Sequence, residues 1–309
     1  MQVIRGIYNL KPEHQGCVAT IGNFDGVHLG HQAVLGQLAE KAGELALPVA
    51  VITFEPQPQE YFRPDESPPR LTRLREKIQA LRRYAVDRVL VLRFDEKFSQ
   101  QSADEFIQKL LVNGLGVKYL VIGDDFRFGK DRAGDFAMLK EAGKRQGFEV
   151  VNMHTFMLDG ERVSSTRVRA ALGNGNLNEA EKLLGRIYRM SGRVAHGDKR
   201  GRTIGFPTAN IYLHRKAIPL RGVFVIQLYG VEGEPVPGVA NLGTRPTVDG
   251  MRTLLEVHLF DFDRDIYGCH VHVDFLHKLR DERRFDSFEK LKKQILLDVE
   301  QAHDFFVDD

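Results

Sequence analysis

Apolar positions along this chain fall into two textures. Up to about residue 184, short unbroken apolar runs alternate with stretches whose apolar residues recur every three or four positions. The runs are "CVATIG", "PVAVITF", "RVLVLRF", "KYLVIG" and "FEVVNMHTF". They are continuous and rich in β-branched residues, which predicts strands buried on both faces. Between the first two, Val34, Leu35, Leu38, Ala39, Ala42 and Leu45 keep helical spacing. "SADEFIQKLL" opens with a capping box, Ser102 at the cap and Glu105 three residues on. Strand alternating with helix predicts a parallel sheet with helices on both faces, an α/β fold.

The second texture begins after "LGNGNLNEAEKLLGRIYR". Strand now follows strand: "GVFVIQLYG", "PVPGVANLG", "LLEVHLFDF" and "CHVHVDFLH". Their alternation predicts antiparallel pairing around one core, a small barrel or sandwich. A last helix closes the chain, with Phe288, Leu291, Ile295, Val299, Ala302 and Phe306 as its expected buried stripe. The change of texture sets an expected domain boundary, 1–184 and 185–309.

Composition narrows the class. A chain of 309 residues with 42% apolar and 28% charged residues is an ordinary globular one. A net charge of +2 and a pI near 8.4 fall short of a dedicated nucleic-acid binder. No apolar run approaches the roughly 18 residues of a membrane span, and "MQVIRGIYNLKPEHQG" lacks the apolar centre of a secretory signal. The two cysteines, Cys17 and Cys269, fall in different expected domains, which argues against a disulfide framework. A cytoplasmic protein acting on small molecules, without nucleic-acid or membrane partners, is the expectation.

The densest chemistry lies in "GNFDGVHLGH", where a strand ends and a helix begins. In a doubly wound sheet, ligands sit beyond the carboxyl ends of the strands. Gly22, Gly26 and Gly30 let the backbone approach a ligand closely, and the helix start favours a phosphate. His28 and His31 are three apart and share a face of the first turn, where they can donate to oxygens gaining charge in phosphoryl or nucleotidyl transfer. "VSSTRVRAAL" supplies a second helix start, with Ser164 or Ser165 as cap and Thr166, Arg167 and Arg169 behind it. Taken alone, that would be an ordinary cap with a solvated basic turn.

With "SSTRVR", "GNFDGVHLGH" resembles the H-x-G-H and S-S-T-x-x-R motifs of the nucleotidylyltransferase superfamily. "GDDFRFG" and the downstream half narrow the resemblance to the bacterial bifunctional riboflavin kinase/FAD synthetase family, over the whole chain. The resemblance implies a Rossmann-like nucleotidylyltransferase domain, followed by a small antiparallel β-barrel with a C-terminal helix. It implies a first domain that transfers AMP from ATP to FMN and a second that phosphorylates riboflavin with ATP and Mg²⁺. His28 and His31 would then contact ATP phosphates, with Gly22, Phe24, Asp25, Gly26 and Gly30 belonging to the ATP-binding site. Ser165, Thr166 and Arg169 would hold the outgoing pyrophosphate. Asp125 stands where relatives often show Asn, and an acid there suits a ribose or base contact better than a phosphate. Phe54, Phe62, Phe126 and Phe128 offer aromatic faces to a flavin ring, Phe62 and Phe128 being the preferred pair.

A second site is expected in "SGRVAHGDKRGRTIGFPTANI", a glycine-rich basic loop without Walker A spacing. Read blindly, it is a turn with a solvated charge run. By resemblance, Gly197, Lys199 and Gly205 would cradle ATP, while Thr208 and Asn210, two hard oxygen donors, would hold Mg²⁺. Glu256 is an acid on a largely apolar strand, where burial without a partner is costly. As a base it would take the proton of the riboflavin 5′-hydroxyl. "LRDERRF" would bring Arg280, Arg283 and Phe285 to the flavin. His270 and His272 alternate with Asp274 on one strand face, which a polar outer face explains more simply than a metal. Another adenylyltransferase and a non-enzymatic flavin or nucleic-acid module are the rival classes. The separate barrel speaks against the first, and its His and acid residues, in place of a basic aromatic face, against the second.

Overall fold

The computed structural model describes residues 1–123, 125–153, 155–195, 206–231, 233–247 and 250–308. Gly197, Lys199 and Gly205 lie outside the described residues. The chain packs as two compact units, residues 1–68 with 77–163, and residues 69–76 with 164–309.

The first unit is built on a six-stranded parallel sheet. Its strands are β1 (Gln2–Arg5), β2 (Cys17–Ile21), β3 (Val49–Glu55), β4 (Arg88–Arg93), β5 (Val117–Ile122) and β6 (Glu149–Asn152), in the spatial order β1-β4-β3-β2-β5-β6. Every residue of β2 is buried, as an unbroken apolar run between two helical layers requires. The helices here are α1 (Leu29–Leu45), α2 (Pro58–Phe62), α3 (Leu74–Leu81, from Lys77 on), α4 (Glu96–Ser99), α5 (Ala103–Phe106) and α6 (Phe136–Gln146). The expected capping box opens α5: the Ser102 hydroxyl accepts from the Glu105 amide, and the Glu105 carboxylate accepts from the Ser102 amide. A π-helical turn, Ile107–Val112, follows. A two-strand hairpin, β7 (Met157–Leu158) and β8 (Glu161–Arg162), completes the unit. The chain leaves β2 toward β3 on one side and later adds β5 on its other side. The loops after β2 and β5 therefore diverge there, and an open α/β sheet places its ligand in that crevice.

The second unit carries helices α7 (Ser165–Gly173) and α8 (Leu177–Leu184), the latter packed on the last barrel strand. The barrel strands are β9 (Arg189–Ala195), β10 (Ala209–Tyr212), β11 (Gly222–Tyr229), β12 (Val236–Thr247), β13 (Gly250–Leu259) and β14 (His270–Arg280). They close in the order β10-β13-β12-β11-β14-β9, all antiparallel. Ala240, Leu242, Leu255, Val257, Val271 and Val273 fill the interior at 0% exposure. The final helix, α9 (Phe288–Asp308), packs on the outer wall through Val299, Ala302 and Phe306. Phe288 departs from the buried stripe expected of it: it is 56% exposed and, with Leu291 and Ile295, lines a cleft instead.

Compactness divides the chain at 163/164 rather than at 184/185, because α7 and α8 pack within the second unit. The division also assigns residues 69–76 to that unit, and a buried polar network gives the reason. The Glu76 carboxylate accepts from the Ser191 amide at 2.9 Å and its hydroxyl at 3.0 Å, and from Arg215 Nη2 at 2.6 Å. Arg73 donates to the Ser191 carbonyl at 2.7 Å, and Arg215 to the Arg70 carbonyl at 2.6 Å.

Candidate functional site

The loop after β2 is held in an unusual backbone path. Phe24 (φ 48°), Gly26 (φ 86°) and Val27 (φ 44°) all adopt left-handed geometry, a strain that persists only where packing enforces it. Phe24, Asp25 and Val27 are at most 2% exposed, so their side chains anchor the loop inward. The Asn23 carbonyl accepts from the Thr53 hydroxyl at 3.3 Å, and that hydroxyl accepts from the fully buried Lys77 at 3.5 Å. Sequence reading missed Lys77, since a lysine inside a helical pattern reads as a solvated position.

This path delivers His28 to the N-cap of α1 and His31 one turn on. Their rings stack, centroids 3.7 Å apart and planes at 20°, and Phe24 backs His31 at 4.7 Å. His28 is only 6% exposed. Gly30 makes the close approach possible: a Cβ there would fall 3.1 Å from the Val163 carbonyl and 3.2 Å from the His28 ring. Gly22, whose Cβ would meet the Phe24 ring at 3.3 Å, lines a cleft of about 980 Å³ over the carboxyl ends of β2 to β5, whose lining includes neither imidazole.

The cleft has an aromatic wall. Phe62 is 63% exposed and meets Phe94 at 5.5 Å. Phe128, 6% exposed, stacks on Phe126 at 5.6 Å and contacts Phe106 at 5.0 Å. Phe94, Phe98 and Phe106 also line the cleft and were not singled out in the sequence, where each follows a strand or sits in a helix like any core residue. Asp125 lines the same cleft, with Arg162 at 3.8 Å. The same cleft is also lined by Arg63, Lys130 and Arg132. Thus Gly22, Phe62, Asp125 and Phe128 share one cavity of the first unit.

The second helix start resolves in favour of Ser164, whose hydroxyl accepts from the Arg167 amide at 3.2 Å. Ser165, Thr166 and Arg169 stand in the first turns of α7, in the second unit. Arg169 Nε donates to the Pro69 carbonyl at 2.7 Å, and Arg167 pairs with Glu179 at 2.6 Å.

A separate cleft of about 540 Å³ lies on the outer wall of the barrel. Register explains its centre. Glu256 on β13 is directly opposite Asn210 on β10 and, on its other side, opposite Asn241 on β12. Residues directly opposite share a face, with Cβ atoms about 5 Å apart. The neighbours Leu255 and Val257 point into the barrel, so alternation turns Glu256 outward. Glu256, Thr208, Arg280, Arg283 and Phe285 all line this cleft. His258, two residues along, ties the Thr208 segment to β13 through its Nδ1 and the Pro207 carbonyl at 2.9 Å.

Arg280 and Arg283 both line this cleft, and each also has a partner in the C-terminal helix. Arg280 is held by Asp298 of α9 in a two-point contact at 2.8 and 2.7 Å. Arg283 donates to Gln294 and lies 5.5 Å over the Phe285 ring. Glu282, between them, bonds Asn241. Its carboxyl is held above the usual range, first by local burial and further by the charge of Glu256, against the lowering pull of Asn241, Arg221 and Arg280. Sequence reading missed both Asn241 and Glu282. The available signal for Asn241 was the one that marked Glu256, a polar residue inside an apolar strand.

Comparisons with known proteins agree with this two-part layout. A family model described as FAD synthetase matches residues 10–167, and one described as riboflavin kinase matches residues 184–306. The bifunctional riboflavin kinase/FMN adenylyltransferase of Haemophilus influenzae is 56% identical over 306 residues, 99% of each chain. That of Escherichia coli K12 is 53% identical over 307 residues, 99% of this chain and 98% of the relative. A crystal structure described as a macrolide-efflux protein from Streptococcus pneumoniae superposes with a TM-score of 0.80 at 32% identity, covering 96% of this chain and 97% of that one. Matched end to end, at more than half its positions, by proteins named for both reactions, the chain belongs to the bifunctional riboflavin kinase/FMN adenylyltransferase family.

Proposed function

We propose that the chain makes FMN and FAD at two separate sites, phosphorylating riboflavin beside Glu256 and adenylylating FMN at the cleft over the parallel sheet. Membership of the family supports both reactions in one polypeptide. The division of labour is carried by one observation: each cleft is lined by residues of a single unit, and the two linings suit different chemistry.

In the kinase step, Glu256 accepts the proton of the riboflavin 5′-hydroxyl while that oxygen bonds to the γ-phosphorus of ATP and the bond to ADP breaks. Thr208 and Asn210 supply hard oxygen donors next to this carboxylate, a set that fits Mg²⁺, which uses few protein ligands and keeps its waters. When bound, the ion neutralises charge on the phosphates. Phe285 and Arg283 give the flavin ring a wall.

In the adenylyl step, a phosphate oxygen of FMN attacks the α-phosphorus of ATP and pyrophosphate leaves. The nucleophile is already anionic, so positioning does the work a base would otherwise do. The His28 and His31 pair, at the head of α1, donates to phosphate oxygens as charge builds. Phe62 and the aromatic wall behind it take the isoalloxazine. We place these reactions in the cytoplasm, where ATP is abundant.

The efflux description belongs to the pneumococcal protein. Among the described residues of this chain, no helix is long and apolar enough to cross a membrane. Incubation with riboflavin, ATP and Mg²⁺, followed by chromatographic separation of flavins, tests the proposal. FMN should appear first and FAD after it, and FMN supplied in place of riboflavin should give FAD alone. Conversion of neither flavin overturns it.

A further inference from the structure

Asn241 carries an arrangement that the phosphoryl-transfer scheme above leaves unused. It sits opposite Glu256 in the β12–β13 ladder, so its side chain shares the outward face with the proposed base and lines the same cleft. Its amide is fixed from one side: Glu282 reaches over from the "LRDERRF" segment and bonds it. Glu282 can stand there because position 243, next on that face of β12, is glycine, and the space its Cβ would fill holds the Glu282 carboxylate. A carboxylate only accepts, so the amide nitrogen of Asn241 turns toward Glu282 and Oδ1 turns away. Oδ1 is buried and has no hydrogen-bond partner in the structure. A buried acceptor without a donor is costly, and such an atom beside a base implies a donor brought by the ligand.

Resting on the reading of this cleft as the riboflavin kinase site, we propose that Asn241 recognises the polyol chain of the substrate. Its Oδ1 accepts a hydrogen bond from an inner ribityl hydroxyl, next to the terminal hydroxyl that Glu256 deprotonates. Glu282 is a positioning residue, which holds the amide in the orientation that presents oxygen rather than nitrogen. A site built this way discriminates against a flavin whose chain lacks inner hydroxyls, because Oδ1 is then left unpaired.

The test compares riboflavin with a flavin bearing a 5-hydroxypentyl chain, which keeps the reacting hydroxyl and lacks the inner ones. The full chain is assayed with ATP and Mg²⁺. The parent protein should favour riboflavin in kcat/KM, and Asn241→Leu should lose roughly tenfold on riboflavin with little change on the analogue. The loss should fall on KM for riboflavin and leave KM for ATP unchanged. Glu282→Ala should reproduce part of this selective loss, and Glu282→Gln, whose amide oxygen still accepts from Asn241, should restore most of the selectivity. Equal losses on both flavins, or none on either, overturn the proposal. Were Asn241→Leu to misfold, the Glu282 pair carries the same comparison, and identical behaviour of its Ala and Gln variants overturns it. The underlying reading fails differently: the parent protein would then phosphorylate neither flavin.

Discussion

Glu256 faces Asn210 across the β13–β10 ladder, which puts the proposed base and a proposed magnesium donor side by side on one barrel face. A proton acceptor next to the ion that neutralises the phosphates is what hydroxyl phosphorylation needs. Removing the charge while keeping the shape isolates that role. Glu256→Gln should lower kcat for riboflavin phosphorylation by about 10²–10⁴-fold. Conversion of supplied FMN to FAD by the same variant should proceed at the parent rate. Normal FMN formation would remove Glu256 from the mechanism.

The stacked imidazoles make the reciprocal case. His28 is capping α1 with its ring against His31, so removing it takes away one donor and the support of the other. His28→Ala should cut FAD formation by about 10²–10³-fold, the usual effect of losing a donor to a charged transition state. FMN formation from riboflavin should be untouched. Parallel loss of both products would break the assignment of two sites.

The two aromatic residues singled out for the flavin are set apart by burial. Phe62 is 63% exposed and Phe128 is 6% exposed within the core cluster of the first unit. Phe62→Ala should raise KM for FMN about 3–10-fold, as loss of one stacking face does, and leave the melting temperature unchanged. Phe128→Ala should instead destabilise the unit by about 3–5 kcal/mol. Calorimetry alongside FMN-dependent kinetics separates the two, and a stability loss in Phe62→Ala would show that it packs rather than binds.

Much of this was legible because the two periodicities differ. Unbroken apolar runs gave β2 to β6, and alternation gave β11 to β14, since each pattern reports how many faces of a strand are buried. β1 escaped, being a four-residue edge strand with one buried side chain. Glu256 stood out as an acid among apolar neighbours, whereas Asn241, its partner in register, is an amide of the kind that ends many strands. Nothing local marks residues 69–76 as belonging with the barrel. Their attachment through Glu76, Arg215 and Ser191 joins positions more than a hundred residues apart, and no period in a sequence encodes such a pairing. Arg280 illustrates the converse. Its place in the cleft was legible from the motif, while its carboxylate partner Asp298 arrives from a helix that the motif does not include.

His272 gives the second unit a pH dependence with a definite sign. Its imidazole on β14 faces Arg189 of β9, His270 of its own strand, and Glu76 and Arg75 of the 69–76 segment, with Tyr229 of β11 opposite in register. Its pKa lies below the ordinary 6.5, first through burial and then through the charges of Arg189 and His270, which outweigh the opposing pull of Glu76. His270 is shifted the same way by burial, Arg75, Arg73 and Arg193. The folded unit therefore takes up these protons later than the unfolded chain does. As pH falls below 6.5 the unfolded state binds more protons, and stability declines until the folded pKa is passed. Above that range both states are neutral and the histidines cost nothing. Arg189 cannot relieve the repulsion by moving, because Asp274 holds it at two points, each 2.5 Å. Thermal unfolding followed from about pH 7.5 to about pH 5.5 should show the transition of the second unit shifting down. His272→Gln should flatten that slope while leaving the melting temperature near neutrality little changed. An identical slope in the variant would assign the acid sensitivity to other groups.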